Sequence, residues 1–189
     1  MDKKKQILHA GQILFGQLGP KKVTMDDIAR KAHVSKATIY KHYANKAEIF
    51  HNVVQQEANQ LLESIEEAVK TQPEVVGKLR AHLITRLGKV QEFVNFYRLS
   101  QDSWGDFWPD IATIRQRFLL AEKEILKGIL EYGVATGCLQ LKQLEMTAHI
   151  LVVALASIEF QWSMDENDTP LPVLVDGMLE MMIDGIGKR

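Results

Sequence analysis

The chain has 189 residues, 46% of them hydrophobic and 25% charged, with a net charge of −1 and a single cysteine. Cys138 has no internal partner for a disulfide, so a reducing cytoplasm is expected. The N-terminus lacks the apolar run of a secretion signal, and the most apolar window, Ile150–Ile158, is far shorter than the roughly 20 residues of a membrane span.

The small net charge hides a polarity. Residues 1–51 carry ten Lys/Arg against four Asp/Glu, a balance of +6. The remaining residues carry thirteen against twenty, a balance of −7. A basic head on an acidic body points to a polyanion as the partner of the head.

Helical spacing recurs along the chain and strict alternation does not, which predicts an all-α protein of about nine helices. Lys4–Leu18 places Ile7, Leu8, Ile13, Leu14, Phe15 and Leu18 on one broad face, and Gly19-Pro20 stops it. Thr24 is placed to cap a second helix, with Asp27 three residues on as in a capping box. His33-Val34-Ser35 forms a turn, and Ser35 caps a third helix from Lys36 to about Tyr43. Asn45 caps a fourth, Lys46 to about Thr71, that belongs to both head and body. Glu74–Val90 and Glu92 to about Ser103 follow, then an aromatic loop or junction, Ser103–Pro109. Asp110–Thr136, Gln143 to about Met164 and Leu171–Gly187 complete the body, with an acidic turn at Asp165–Pro170. The expected domains are residues 1–46, a helix-turn-helix DNA-binding domain, and residues 47–189, a helical effector-binding and dimerisation domain.

The third helix is too short to stand alone in water. It needs Val34 and Ile39 as anchors, with Phe15, Ile28 and Phe50 as partners. Its remaining side is free of carboxylates and fits the major groove. Lys36 and Lys41 suit phosphates or guanine edges. Thr38 suits phosphate or base, and Tyr40 and His42 suit phosphate oxygens. Thr24 offers a hydroxyl and backbone N–H groups at a helix start, and Lys46 is placed to clamp the flanking backbone. With Ser35 and Ala37 these residues form the expected DNA-binding set.

The stretch from Ile7 to Phe50 resembles the DNA-binding domain of TetR-family transcriptional regulators. The resemblance rests on Ala10, Phe15, Gly19, Thr24, Ile28-Ala29, Val34-Ser35, the run Thr38-Ile39-Tyr40-Lys41-His42-Tyr43, and Lys46 with Glu48. It covers about a quarter of the chain directly. The sequence departs from the family pattern at His33, where glycine is usual and a positive φ costs more, and at Gly11, where a second alanine is usual.

The resemblance implies a homodimer that reads a palindromic operator, most often as a repressor, and is released by a small-molecule effector. It implies a dimer interface built from the last two helices. The residues support this independently, because Gln143–Met164 is apolar nearly all round and must be covered on all sides. Leu151, Leu155, Ile158, Leu174, Met178, Met181 and Met182 are the expected dimerisation residues. The candidate effector residues are His82, Tyr97, Trp104, Phe107, Trp108, Phe118, Glu159 and Trp162, each with a core or surface role as its alternative. Glu159 needs a partner if buried, either an arginine such as Arg86, Arg98 or Arg117 or a polar ligand. No catalytic motif, metal-ligand spacing or phosphate loop is present, so neither enzymatic activity nor a cofactor or metal is expected.

Overall fold

The computed structural model describes residues 2–89, 92–97, 108–164 and 170–186. They form nine helices, namely α1 (Lys3–Leu18), α2 (Met25–Lys31), α3 (Lys36–His42), α4 (Lys46–Lys70), α5 (Val75–Gly88), α6 (Val94–Tyr97), α7 (Trp108–Ala135), α8 (Leu144–Met164) and α9 (Leu171–Ile186). The structure is all-helical, as the spacing of the apolar residues requires. Two compact units can be distinguished, Met1–Asn59 with Phe93–Gln116 and Gln60–Glu92 with Arg117–Arg189.

In the first unit, Phe15 of α1 and Phe50 of α4 meet edge to face, with ring centroids 5.0 Å apart. Ile7, Ile28, Ile39 and Ile49 are buried beside them, so the short α2 and α3 share one apolar centre with α1 and α4. Gly11 belongs to this packing. A Cβ there would sit 3.0 Å from Ile49 Cγ2, so the residue that weakens α1 as a helix permits its close approach to α4. The unit also contains α6, tied down by a buried carboxylate. Glu57 of α4 accepts hydrogen bonds from Gln12 Nε2 at 3.0 Å, Asn95 Nδ2 at 2.8 Å and the Phe96 N–H at 2.8 Å.

In the second unit, α5 packs on α9, and Arg80 bonds Asp176 through Nε at 2.7 Å and Nη2 at 3.3 Å. Lys123 and Lys127 of α7 both reach Glu145 of α8, at 2.7 and 2.9 Å. Gly137 ends the turn after α7 with φ 73°, a conformation that glycine adopts at no steric cost. Among the described residues, no helix is long and apolar enough to cross a membrane.

Two helix starts differ from the expected ones. Trp108 and Pro109 belong to the first turn of α7, where proline loses no helical hydrogen bond, rather than to the loop. The helix expected over Glu92–Ser103 starts at Val94, because residues 92 and 93 form a turn, and residues 98–103 lie outside the described residues.

Candidate nucleic-acid interface and effector site

The α2–turn–α3 segment is built by local capping. Thr24 and Asp27 form the full capping box, with the Thr24 Oγ1 accepting from the Asp27 N–H at 3.2 Å and the Thr24 N–H donating to Asp27 Oδ2 at 3.0 Å. The Thr24 hydroxyl also donates to Asp27 Oδ2 at 2.6 Å, and these bonds hold the Asp27 carboxyl below its usual range. The capping box thus engages the Thr24 hydroxyl and the Thr24 and Asp27 N–H groups within the start of α2.

At the other end of α2, the Val34 N–H donates to Ala29 O at 3.0 Å and the His33 N–H to Arg30 O at 3.3 Å. This is a Schellman closure, and it puts His33 at φ 52°. A histidine there pays for left-handed backbone that glycine would not. His33→Gly is expected to stabilise the protein by about 1 kcal/mol, read as a rise of roughly 2–4 °C in melting temperature.

Ser35 caps α3, its Oγ accepting from the Thr38 N–H at 3.1 Å and lying 2.8 Å from the Thr38 hydroxyl. Ile39 and Tyr43 turn inward and are buried, while Lys36, Ala37, Tyr40 and Lys41 lie exposed on the opposite side. Thr38 and His42 are half-buried at its margins. The two tyrosines thus have different roles. Tyr40 is on the open face, whereas Tyr43 is a core residue whose phenol is pushed up to about 12 by burial.

The cations on and beside this face are not all unengaged. Lys36 Nζ pairs with Asp26 Oδ1 at 2.9 Å, which raises its pKa. This pair is exposed and weak enough to exchange for a phosphate. Lys46 Nζ donates to Val23 O at 2.7 Å and Lys21 O at 3.3 Å. Its first role is to fasten the α1–α2 loop to the start of α4, although an ammonium retains a third donor.

In the second unit, an apolar cavity of about 80 Å³ is lined by Leu79 and Leu83 of α5, Leu126 of α7, Leu151, Leu155 and Ile158 of α8, and methionines of α9. A larger but open cleft, about 520 Å³, lies beside Lys78 and Tyr132. The polar groups of that cleft are already engaged, Lys78 Nζ with Val69 O at 3.3 Å and the Tyr132 hydroxyl with Pro73 O at 3.2 Å.

Of the effector candidates, His82 and Phe118 are fully buried in this unit. Trp104 and Phe107 lie outside the described residues, as do the side chains of Tyr97, Trp108, Glu159 and Trp162. Sequence reasoning missed a buried ion pair here. Arg86 Nε donates to Glu122 Oε1 at 2.8 Å, and both side chains are 0% exposed. Arg86, weighed above as a partner for Glu159, is engaged by Glu122. The signal was available, because Glu122 falls on the same helical stripe as Phe118 and Leu126.

The expected dimerisation residues divide. Leu155 is buried within the chain, Leu151, Ile158, Leu174, Met178 and Met182 are half-buried, and Met181 is 73% exposed. Met146, Ile150 and Val153 on α8 and Val173 on α9 are large, apolar and exposed, and periodicity did not single them out.

A capped two-helix unit presenting an exposed cationic face, joined to a helical body with an apolar cavity, defines a helix-turn-helix DNA-binding regulator. Residues 7–53 match the family described as bacterial regulatory proteins, tetR family. Along 97% of its length the chain is 26% identical to YhgD of Bacillus subtilis, described as an uncharacterized HTH-type transcriptional regulator, and covers 95% of it. It is 22% identical, with the same coverages, to the fatty acid metabolism regulator protein of that organism. The crystal structure of the transcriptional regulator FadR from Bacillus subtilis in complex with stearoyl-CoA shares the fold, with a TM-score of 0.77 at 21% identity over 96% of this chain and 98% of that one. The chain is a TetR-family transcriptional regulator.

Proposed function

We propose that this regulator is a repressor that binds a palindromic operator as a homodimer and is released by a fatty acyl-CoA. The observation that carries the DNA-binding part is the carboxylate-free outer face of α3, Lys36-Ala37-Thr38 with Tyr40-Lys41-His42, held outward by the buried Ile39 and Tyr43. Ser35 and Thr24 orient that face, and Lys46 adds a flanking cation. Residues 1–46 then act as the reader and residues 47–189 as the sensor and dimerisation part.

The dimer is supported by the exposed stripes on the last two helices. Met146, Ile150 and Val153 recur at helical spacing along α8, and Val173 and Met181 do so along α9. Large apolar side chains left open in rows suit a second copy of the same surface. Two heads related by a two-fold axis read two half-sites, which makes the operator a palindrome. The effector class is supported by the wholly apolar cavity and by the relatives named for fatty acid metabolism and crystallised with stearoyl-CoA.

The test is fluorescence anisotropy of the protein on duplexes from its own upstream region, across salt concentrations and with added stearoyl-CoA. Tight binding that needs both half-sites and falls when stearoyl-CoA is added is the expected result. Lys41→Ala is expected to weaken binding to all sequences and reduce the log–log salt slope by about 1. Binding indifferent to the palindrome would sink the operator reading, and binding indifferent to stearoyl-CoA would sink the effector reading.

A further inference from the structure

A buried polar cluster shares two helices with the lining of the apolar cavity. On α5, Leu79, His82, Leu83 and Arg86 follow one another along a single stripe, and on α7 Phe118, Glu122 and Leu126 do the same. Leu79, Leu83 and Leu126 line the cavity. On the same stripes, His82 falls between Leu79 and Leu83, Arg86 one turn after Leu83 and Glu122 one turn before Leu126, all three 0% exposed, with the Arg86 guanidinium 4.7 Å over the Phe118 ring.

His82 is the anomaly in this cluster. Its Nε2 is 3.4 Å from Glu122 Oε1, yet no described residue hydrogen-bonds either ring nitrogen. Burial first, and then the Arg86 charge, depress its pKa to about 3, so the ring is neutral. A neutral imidazole carries one N–H donor and one acceptor lone pair. Buried polar atoms are expected to have partners.

We propose that His82 is the polar end of the effector site, hydrogen-bonding a neutral oxygen function, a carbonyl or hydroxyl, at one end of an alkyl segment held in the adjoining cavity. The inference rests on the acyl effector proposed above and specifies which group of it the protein reads. Charge decides the class of head group. The Arg86 charge is already matched by Glu122, so a carboxylate entering here would bury an uncompensated charge, whereas a neutral oxygen would not. The cavity takes only a short segment as it stands. Longer chains require Met178, Met181 and Met182 to repack, which flexible thioether side chains do readily.

Calorimetric titration of the full chain with decan-1-ol, decanoate and decanoyl-CoA tests this. The wild type is expected to bind decan-1-ol about tenfold more tightly than decanoate, and His82→Leu to lose about tenfold in affinity for the alcohol. His82→Gln, which keeps a donor and an acceptor, is expected to retain most of it. Leucine replaces an unpartnered buried ring with an apolar side chain, and a thermal melt of each variant verifies folding. Equal binding of alcohol and carboxylate, or a His82→Leu protein that binds the alcohol as the wild type does, overturns this inference and leaves the effector reading standing. Failure of all three probes to bind, with no release of operator by stearoyl-CoA, overturns both.

Discussion

Glu122→Leu is expected to cost about 3–5 kcal/mol of stability, because it removes one member of a buried ion pair and leaves the other charge in the interior. Arg86 and Glu122 are 0% exposed, joined at 2.8 Å, and lie among Leu83, Leu87 and Phe118. Each charge gave up its hydration on folding, and the geometry of the pair helps to offset that loss. The double variant Arg86→Met with Glu122→Leu removes both charges and the hydration loss with them. It is expected to recover most of the stability lost by the single variant, and denaturant unfolding of the two proteins decides the matter. A single variant within about 1 kcal/mol of wild type would mean that the pair behaves as an exposed one.

Glu57→Leu is expected to be the second costly change, at about 3 kcal/mol, because three donors lose their acceptor at once. Burial raises the Glu57 pKa, while Asn95, the Phe96 N–H and Gln12 oppose that shift by hydrogen-bonding the ionised form. Asn95 Nδ2 also donates to Gln12 O at 3.0 Å, so α1, α4 and α6 converge on one carboxylate. The described part of α6, Val94–Tyr97, is held through the Phe96 N–H and the Asn95 side chain, both of which donate to Glu57. Amide exchange at Phe96 should therefore accelerate in Glu57→Leu well beyond the change in global stability. Exchange that merely tracks global unfolding would show that α6 is held by apolar packing instead.

The head was legible in the sequence because its signals are local. Thr24 with Asp27, Ser35 before Lys36, and the inward spacing of Ile28, Ile39 and Phe50 each fix a cap or a face without reference to distant residues. The position of His33 was legible for the same reason. In the body, local signals fail in two ways. The helix α8 is apolar almost all round, so its spacing cannot say which side meets its own chain, and Leu155 went inside while Ile150 and Val153 stayed out. Glu57 and Glu122 drew no reading from the sequence, and Arg86 only one as a partner for Glu159, although all three sit in register with apolar neighbours on their helices. A carboxylate or guanidinium on an apolar stripe signals an internal pair, but its partner lies across the fold and spacing alone does not name it. Lys46 has a second role that was hidden for a related reason. Its place at the start of α4 suited a phosphate, but the carbonyls of Lys21 and Val23 are brought to it only by the folded loop.

The pairing of Lys36 with Asp26 has a consequence for selectivity. In the DNA complex proposed above, the face of α3 approaches the duplex carrying its own counter-anion. When Lys36 turns to a phosphate, some attraction is spent in parting the couple, and the carboxylate left behind repels the sugar–phosphate strand. Both effects act on every stretch of DNA alike, so they lower adhesion to random sequence and leave discrimination to whichever side chains touch the base edges.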